Sequence, residues 1–503
     1  MNVRQLVANA LRRDPARIAM EFKAEPISCA RIAAVADSVN GLLHKAGIPQ
    51  ETPIAVAARN RPAIGATILG LIEAGRTVSN IYAFQPAAAL AADLTAARFA
   101  VLIAEEGDWT LELIDAAKQL GIVGIALGSD GTPSVEYVPE LDRLGRGPFR
   151  PPLASPGIEI LSSGTTGAPK RIAIPESVLV RAIDSIRGSG FEKDPPPDLM
   201  GWPLAGIGGM CCLVADFAIE RLLVLLDKFT LSEWLEGFKR HRPATIVAPP
   251  ALVRAILDAR LPKSELSGLR YYYGGSAHMP PEMQDEFEAV YGVKIIWAYG
   301  ATEFCGTVLA WTPDLHARFS KSKRGAMGRP FPGVKVRVVD SKTGLELPRG
   351  QEGLLEALSP MISPQWIRTT DLAVMDEDDF VFHRGRADGV IVRGGFKIAP
   401  ETIDNALRQH PSILDAATVG LSDERLGSVP GSVIELRRGA TAPPPPALDE
   451  HVRSRLNPVH IPVRYLIVDA IPRTTSMKAD LRAVRALLED ASPVGGGVHT
   501  SPN

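Results

Sequence analysis

The sequence predicts an α/β protein: a large N-terminal domain of doubly wound α/β layers carrying a β-rich subdomain, followed by a small α+β C-terminal domain. Three observations predict it. Strand-like and helix-like segments alternate through the first two thirds of the chain, as parallel sheets covered by helices require. Beyond about residue 325 the pattern turns to period two and is punctuated by Gly344, Gly350 and Gly353. From about residue 386 a compact mixture of helix and strand patterns follows.

The elements follow in order. The opening MNVRQLVANALRRDP reads as a short amphipathic helix and lacks the apolar core of a signal peptide. Residues 54–57 read as a strand, 63–73 as a helix ending near Gly75, 99–103 as a strand, 109–120 as a helix and 122–127 as a strand. The most apolar stretch, 211–226, is interrupted by Asp216, Glu220 and Arg221, and is too short and too charged to span a bilayer. Residues 334–339 alternate as a strand; helices at 401–409 and 481–488 accompany a strand at 416–420. Four consecutive prolines within 442–447 predict an extended, semi-rigid connection, and the Gly-, Ser- and Pro-rich stretch 491–503 predicts a disordered tail. The expected domains are 1–385, with the β-rich subdomain at about 325–385, then 386–490, then the tail.

Composition narrows the function. In a chain of 503 residues, 46% hydrophobic content affords large cores and excludes wholesale disorder. With 55 basic and 57 acidic residues the formal net charge is −2, which offers no bulk attraction to nucleic acid or anionic lipid. The four cysteines, Cys29, Cys211, Cys212 and Cys305, are too few for a disulfide framework and have no C-x-x-C spacing, which fits a reducing compartment. Cys211 and Cys212, inside an apolar run, read as small hydrophobes. The expectation is a soluble cytoplasmic protein without a membrane span, a monomer or homodimer that binds small molecules.

One loop carries a chemical signal. LSSGTTGAPK, residues 161–170, follows the apolar run 158–161 and precedes the alternating run 171–174. It is not a P-loop: Gly164 and Gly167 are closely spaced, Pro169 precedes Lys170, Arg171 stands where Ser or Thr is required, and a strand follows instead of a helix. The loop therefore reads as the tip of a hairpin, with Pro175 opening the next helix. Hydroxyls of Ser162, Ser163, Thr165 and Thr166 can donate to phosphate oxygens, and the glycines let backbone N–H groups approach closely. A polar surface loop has the same composition, so the stretch is only moderately specific alone.

Context raises the specificity. WAYGATE (297–303), WIRTTDLA (366–373), GRADGVIVRGGFKIAPETID (385–404) and PRTTSMKADLR (472–482) follow in order, and SNIYAF, IVAPPALVRAIL, GGSAHMPPE and GRPFPGVKVRVVD fill the gaps. Together with the first loop these blocks resemble the adenylate-forming superfamily of acyl-CoA synthetases, luciferases and peptide-synthetase adenylation domains. The resemblance covers almost the whole chain except the tail. It implies that a carboxylic acid and ATP give acyl-AMP and pyrophosphate, and that the acyl group then passes to a thiol, with Mg2+ assisting and CoA as co-substrate.

The resemblance also implies roles. Ser163, Thr165 and Thr166 would cradle the β- and γ-phosphates with Lys170; Thr302 would touch the α-phosphate; Glu303, with Thr166, would hold Mg2+. Tyr299 and Gly300 would bind adenine, with Gly275, Ser276 and Ala277 along its edge, while Asp371 would accept both ribose hydroxyls with help from Arg386. Lys478 would bridge the acyl carboxylate and the α-phosphate. Asp388 falls at the hinge about which the family's small mobile domain turns. Arg393, Gly394, Gly395 and Lys397 would line the pantetheine tunnel, although Lys397 reads equally as an exposed lysine. Trp202, Ala205, Gly206, Ile207, Ala248, Gly274 and Ala298 would form the acyl pocket.

Several positions depart from the family pattern. Met477 stands where glycine usually precedes the lysine, Thr370 replaces a glycine, Gly389 a second Asp, and Arg171 a glycine. In GWPLAGIGGM (201–210) an aromatic residue and a His are replaced by Ala205 and Gly206, which implies a wider acyl pocket and a bulky apolar acid, alicyclic, aromatic or fatty. Two other readings remain open: an acyl-AMP former that loads a separate carrier protein, and a non-catalytic relative acting as a binding protein. Amino-acid activation is disfavoured because Asp216-Phe217 reverses the expected order. No G-x-S-x-G, H-E-x-x-H or zinc-spaced Cys/His cluster occurs.

Overall fold

The computed structural model describes the chain apart from residues 1, 84–86, 129–133, 163–169, 188–194, 276–278, 302–303, 305, 361, 388, 394–395, 424–425, 475–477 and 491–503. Two compact units share the described residues. One is built from the chain up to Ser322 together with Ser359–Pro364; the other comprises Lys323–Leu358 and the chain from Gln365 onward.

The first unit holds the expected α/β layers. Its largest sheet runs Val135–Tyr137, Val123–Leu127, Val101–Glu105, Ile54–Ala58, Val78–Tyr82, Gly157–Ser162, Lys170–Pro175. The inner strands are parallel and the strand at each edge is antiparallel. The inner strands Ile54–Ala58 and Val101–Glu105 are buried at every position, so they read as continuous apolar runs without alternation. Helices Pro62–Glu73, Ala87–Ala97 and Leu111–Leu120 make the connections. The first of these is apolar nearly all round and ends before Gly75, which has a φ of +71°.

The amphipathic helix expected at the N-terminus is Val3–Arg12, capped by the Asn2 side chain, with Val3, Leu6, Val7, Ala10 and Leu11 buried. A second sheet orders Asp198–Met200, Leu223–Leu225, Ile18–Phe22 and Glu25–Ser28. A third set joins Thr245–Val247, Tyr271–Gly274 and Lys294–Ala301 in parallel, with Gly306–Ala310 antiparallel to the last. The apolar stretch 211–226 divides into the end of helix Ile207–Ala218, a turn, and strand Leu223–Leu225. Two of its three charged residues are buried together, with Arg221 Nη1 3.2 Å from Asp216 Oδ1, while half-buried Glu220 pairs with Arg13. Burial beside Asp198 pushes the Asp216 carboxyl well above the usual range. Cys211 and Cys212 pack against this unit's main core, as small hydrophobes would. Among the described residues no helix is long and apolar enough to cross a membrane.

The second unit contains five antiparallel strands in the order Ala326–Pro330, Val381–Arg386, Ile367–Met375, Glu352–Leu358, Lys335–Val339. It also contains a mixed sheet in which Gly427–Leu436 pairs with Ile413–Asp423 on one side and with Ile391–Arg393 and Arg464–Val468 on the other. Alternation along these strands feeds two cores. Ala416 and Ile434 pack with helices Pro400–Arg408 and Pro445–Arg453, while Ala417, Val419 and Val433 pack with helix Leu481–Asp490. The proline run is only partly an extended connection, because helix Pro445–Arg453 begins inside it and Pro444 is its N-cap. Proline is tolerated there because the first helical N–H groups have no intrahelical partner to lose. The expected tail, 491–503, lies outside the described residues.

Asp404, on helix Pro400–Arg408, is buried against Thr418 of the mixed sheet. Burial raises its pKa to about 7, against the opposing pull of Arg408 and Thr418. The folded chain thus binds a proton that the unfolded chain has released. Stability contributed by the neutral acid is full below the unfolded value and falls as pH rises through the folded one. Asp404→Asn is expected to match the wild type in thermal midpoint near pH 4 and to exceed it progressively as pH is raised through about 7, in melts followed by circular dichroism.

Candidate active site

Ligands of α/β sheets collect beyond the carboxyl ends of parallel strands, where helix N-termini and loops begin. In the first unit the acyl-pocket candidates lie there. Trp202 follows strand Asp198–Met200, Ala248 follows Thr245–Val247, Gly274 closes Tyr271–Gly274, and Ala298 lies in Lys294–Ala301. Adenine-site candidates Gly275, Tyr299 and Gly300 occupy the same strand ends. A side chain at Gly275 would place its Cβ 2.7 Å from the Ala298 carbonyl oxygen, so the close approach of the two strands requires glycine.

The Trp202–Leu204 turn is held by two asparagines that sequence reasoning did not single out. Asn60 Nδ2 donates to the carbonyls of Trp202 and Leu226, both at 3.1 Å, and its Oδ1 accepts from Leu204 N at 2.9 Å. Asn80 Nδ2 donates to the Leu204 carbonyl at 2.9 Å. Both side chains are buried. The available signal was an asparagine inside or just after an otherwise apolar strand, where a buried amide has to satisfy something.

Beyond this turn Gly206 is the N-cap of helix Ile207–Ala218. Among the described residues a Cβ at Gly206 would meet only the Pro203 carbonyl oxygen at 3.5 Å, and one at Gly208 would rest on the Trp202 ring at 3.7 Å. The same atom at Gly209 would lie 2.2 Å from the Pro203 oxygen. Gly206 and Gly208 therefore leave space, whereas Gly209 is demanded by packing. Trp202 and Ile207 are partly buried; Ala205 and Ala248 are each 1% exposed, so their side chains face the core.

The hairpin expected around the first loop has its strands. Gly157–Ser162 and Lys170–Pro175 pair antiparallel from Gly157↔Pro175 to Ser162↔Lys170, and the following helix starts at Glu176, one residue after Pro175. Arg171, which replaces a family glycine, has a clear part in this unit. Its Nη2 contacts both Asp93 oxygens at 2.8 and 2.7 Å, Nη1 donates to the Asn80 carbonyl at 2.9 Å, and its guanidinium lies over the Phe99 ring. Lys170 is described by its backbone alone. Ser163, Thr165, Thr166, Ser276, Ala277, Thr302 and Glu303 lie outside the described residues, so neither the phosphate cradle nor the candidate Mg2+ ligands have a geometry here.

The second unit carries the remaining candidates. Asp371 on strand Ile367–Met375 stands directly opposite Arg386 on Val381–Arg386. His383 Nε2 is 3.5 Å from Asp371 Oδ1. Thr370, another of the glycine replacements, accepts from Arg386 Nη2 at 2.6 Å. The departure therefore adds a hydroxyl that orients the arginine. Arg393 Nη1 donates to the carbonyls of Val459 and Ile461, each at 2.9 Å. Lys397 is described by its backbone alone, and Asp388, Gly394 and Gly395 lie outside the described residues. Gly389 donates its N–H to the Arg386 carbonyl at 3.2 Å. Lys478 is exposed, and its carbonyl accepts from the Thr474 N–H at 2.7 Å and from Thr474 Oγ1 at 3.2 Å.

Residues 7–364 match the family described as AMP-binding enzyme, and residues 402–478 match the AMP-binding enzyme C-terminal domain. The chain is 27% identical over 500 residues to an indoleacetate–CoA ligase of Aromatoleum aromaticum, covering 94% of this chain and 96% of that one. It is 28% identical over 351 residues to a long-chain-fatty-acid–CoA ligase of Bacillus subtilis, covering 65% of this chain and spanning 60% of the length of that relative. ATP-bound MatB from Rhodopseudomonas palustris has the same fold, with a TM-score of 0.82 at 22% identity over 97% of this chain and 99% of the other.

The two glycines at the start of helix Ile207–Ala218 separate cleanly by experiment. Gly206→Ser, at an N-cap with open space, should stay within about 0.5 kcal/mol of wild type, whereas Gly209→Ala should cost about 1–3 kcal/mol through forced repacking, both read from urea unfolding.

Proposed function

This chain belongs to the AMP-binding enzyme family, and on that premise we propose that it is an ATP-dependent acyl-CoA synthetase. It joins a carboxylic acid to AMP, releases pyrophosphate, and passes the acyl group to the thiol of CoA. The support that weighs most is the retention in one chain of Asp371 opposite Arg386 and of Lys478 at the end of a hairpin stapled by its own backbone.

The first step brings a carboxylate onto the α-phosphorus of ATP. Two anions meet and charge spreads over phosphate oxygens, so positioning and electrostatic stabilisation carry the rate. Lys478 supplies a compact positive charge that bridges both reactants. Asp371, acceptor-only when ionised, takes both ribose hydroxyls, and Arg386, oriented by Thr370, stands beside it. Tyr299 stacks on adenine with Gly275 and Gly300 at its edge. Ser163, Thr165, Thr166 and Lys170 hold the departing pyrophosphate, and Thr302 the α-phosphate. Hard oxygen donors suit Mg2+, which Glu303 would hold together with Thr166, supplying charge neutralisation at the phosphates. Residues 386–490 form the smaller domain with its hinge at Asp388, and Arg393 to Lys397 serve the thiol-transfer state. The space at Gly206 and Gly208 beside Trp202 favours a bulky apolar acid.

Pyrophosphate release with ATP, Mg2+ and a panel of carboxylic acids, run with and without CoA, tests the reading. Turnover on a bulky apolar acid that CoA stimulates is expected. Release indifferent to CoA would transfer the second half of the proposal to a carrier-protein thiol, and acetate as the best acid would overturn the pocket argument. Lys478→Ala should lower pyrophosphate release by about 10²–10³, with acylation of CoA from supplied acyl-AMP little changed. Gly206→Phe should shift the panel toward small acids, reducing kcat/KM for the best bulky acid by about tenfold or more while acetate is spared.

A further inference from the structure

The segment that carries Lys478 begins and ends on identifiable anchors in the second unit. Asp415 and Glu435 face one another across strands Ile413–Asp423 and Gly427–Leu436, just where their register slips. Two carboxylates placed directly opposite repel unless donors intervene. Both find donors, and in each case one belongs to the lysine segment. Glu435 Oε2 accepts from the Ile471 N–H at 3.0 Å. Asp415 Oδ2 accepts from Arg473 Nη2 at 2.5 Å.

The other Asp415 oxygen is occupied too. Oδ1 accepts from Arg408 Nε at 2.7 Å and from the Ala416 N–H at 2.8 Å. Arg408 is itself fixed, donating to Asn405 Oδ1 and to the Ala416 carbonyl, both at 2.9 Å. Arg408 thus orients Asp415, and Asp415 orients Arg473. These donors hold the Asp415 carboxyl below its ordinary range despite burial.

From Arg473 the chain turns back on itself. Arg473 bridges antiparallel to Ala479, the Thr474 N–H donates to the Lys478 carbonyl, and the Asp480 N–H donates to the Pro472 carbonyl at 2.8 Å. Asp480 Oδ1 then accepts from the N–H groups of Arg482 and Ala483 at 3.1 and 3.2 Å, capping helix Leu481–Asp490. Lys478 therefore lies between a carboxylate anchor on the sheet and a helix cap.

We propose that Arg473, held by Asp415, is a positioning residue that sets the backbone of Lys478 for acyl-AMP formation. The proposal rests on the reading of Lys478 as the adenylation lysine. Arg473 itself touches no reactant; it acts through the hairpin. Because a misplacement of one ångström far from the chemistry can cost about a hundredfold, the effect falls on the adenylation rate.

The test compares full-length wild type with Arg473→Met, Arg473→Lys and Lys478→Ala. Arg473→Met should lower kcat for pyrophosphate release by about 10- to 100-fold with KM for ATP unchanged. Its acylation of CoA from supplied acyl-AMP should match wild type, and Arg473→Lys should recover most of the loss. Independently of turnover, hydrogen exchange at the Thr474 amide should be about 10- to 100-fold faster in Arg473→Met, the scale of a lost charge-assisted hydrogen bond. A wild-type kcat in Arg473→Met, an equal fall in both half-reactions, or unaltered exchange at Thr474 would each overturn the proposal. If wild type itself releases no pyrophosphate with any acid, the proposed function fails instead. The anchoring of the hairpin is then decided by exchange alone: faster exchange in Arg473→Met supports it, and unchanged exchange overturns it.

Discussion

A backbone amide or carbonyl buried without a partner costs more than most single contacts return, and the first unit is organised around meeting that demand at its strand ends. The turn from Trp202 to Leu204 leaves the end of strand Asp198–Met200 and cannot pair as a strand. Asn60 and Asn80 satisfy it from neighbouring elements. Because the Asn80 backbone carbonyl is also the acceptor for Arg171, the same few hydrogen bonds reach strand Lys170–Pro175, which leaves the hydroxyl-rich loop. Acyl-pocket and phosphate-loop candidates are thus supported by one connected set of hydrogen bonds.

The second unit meets a different demand. Its mixed sheet carries acidic side chains at the strand-pairing irregularity, and the helix Pro400–Arg408 carries a buried Asp404. Arg408 and Arg473 answer Asp415, the Ile471 N–H answers Glu435, and Asp404 is accommodated by holding a proton near neutrality. These three carboxyl groups are tolerated in the small α+β layer because each has a guanidinium, a backbone N–H or a proton.

Much of the layout was legible in advance because it rests on local pattern. The period-3.6 stripe of Val3–Arg12, the buried runs of Ile54–Ala58 and Val101–Glu105, and the alternation of Lys335–Val339 each identify their own element. The candidate residues Asp371 and Arg386 were legible as motif positions, and their opposition across two strands follows from the pairing. What escaped was non-local or turned on caps. Asn60 serves carbonyls 142 and 166 residues away, and Arg473 finds Asp415 at a separation of 58. The prolines at 443–446 read as an extended connector because composition alone does not show that a helix starts at Pro445, where proline is harmless. Arg171 and Thr370 registered only as departures from a pattern, since their compensations lie on other strands and helices.

The double anchoring of the lysine segment has a bearing on how this stretch can vary. Arg473 is tied to the sheet and Asp480 to a helix start, so the chain between them must close a fixed gap. The number of residues is not free. A single insertion or deletion would have to be absorbed by the anchors, displacing the ammonium group even with every side chain intact. Lys478 is thereby held to a tether of set length, and its placement is a property of residue count as much as of residue identity.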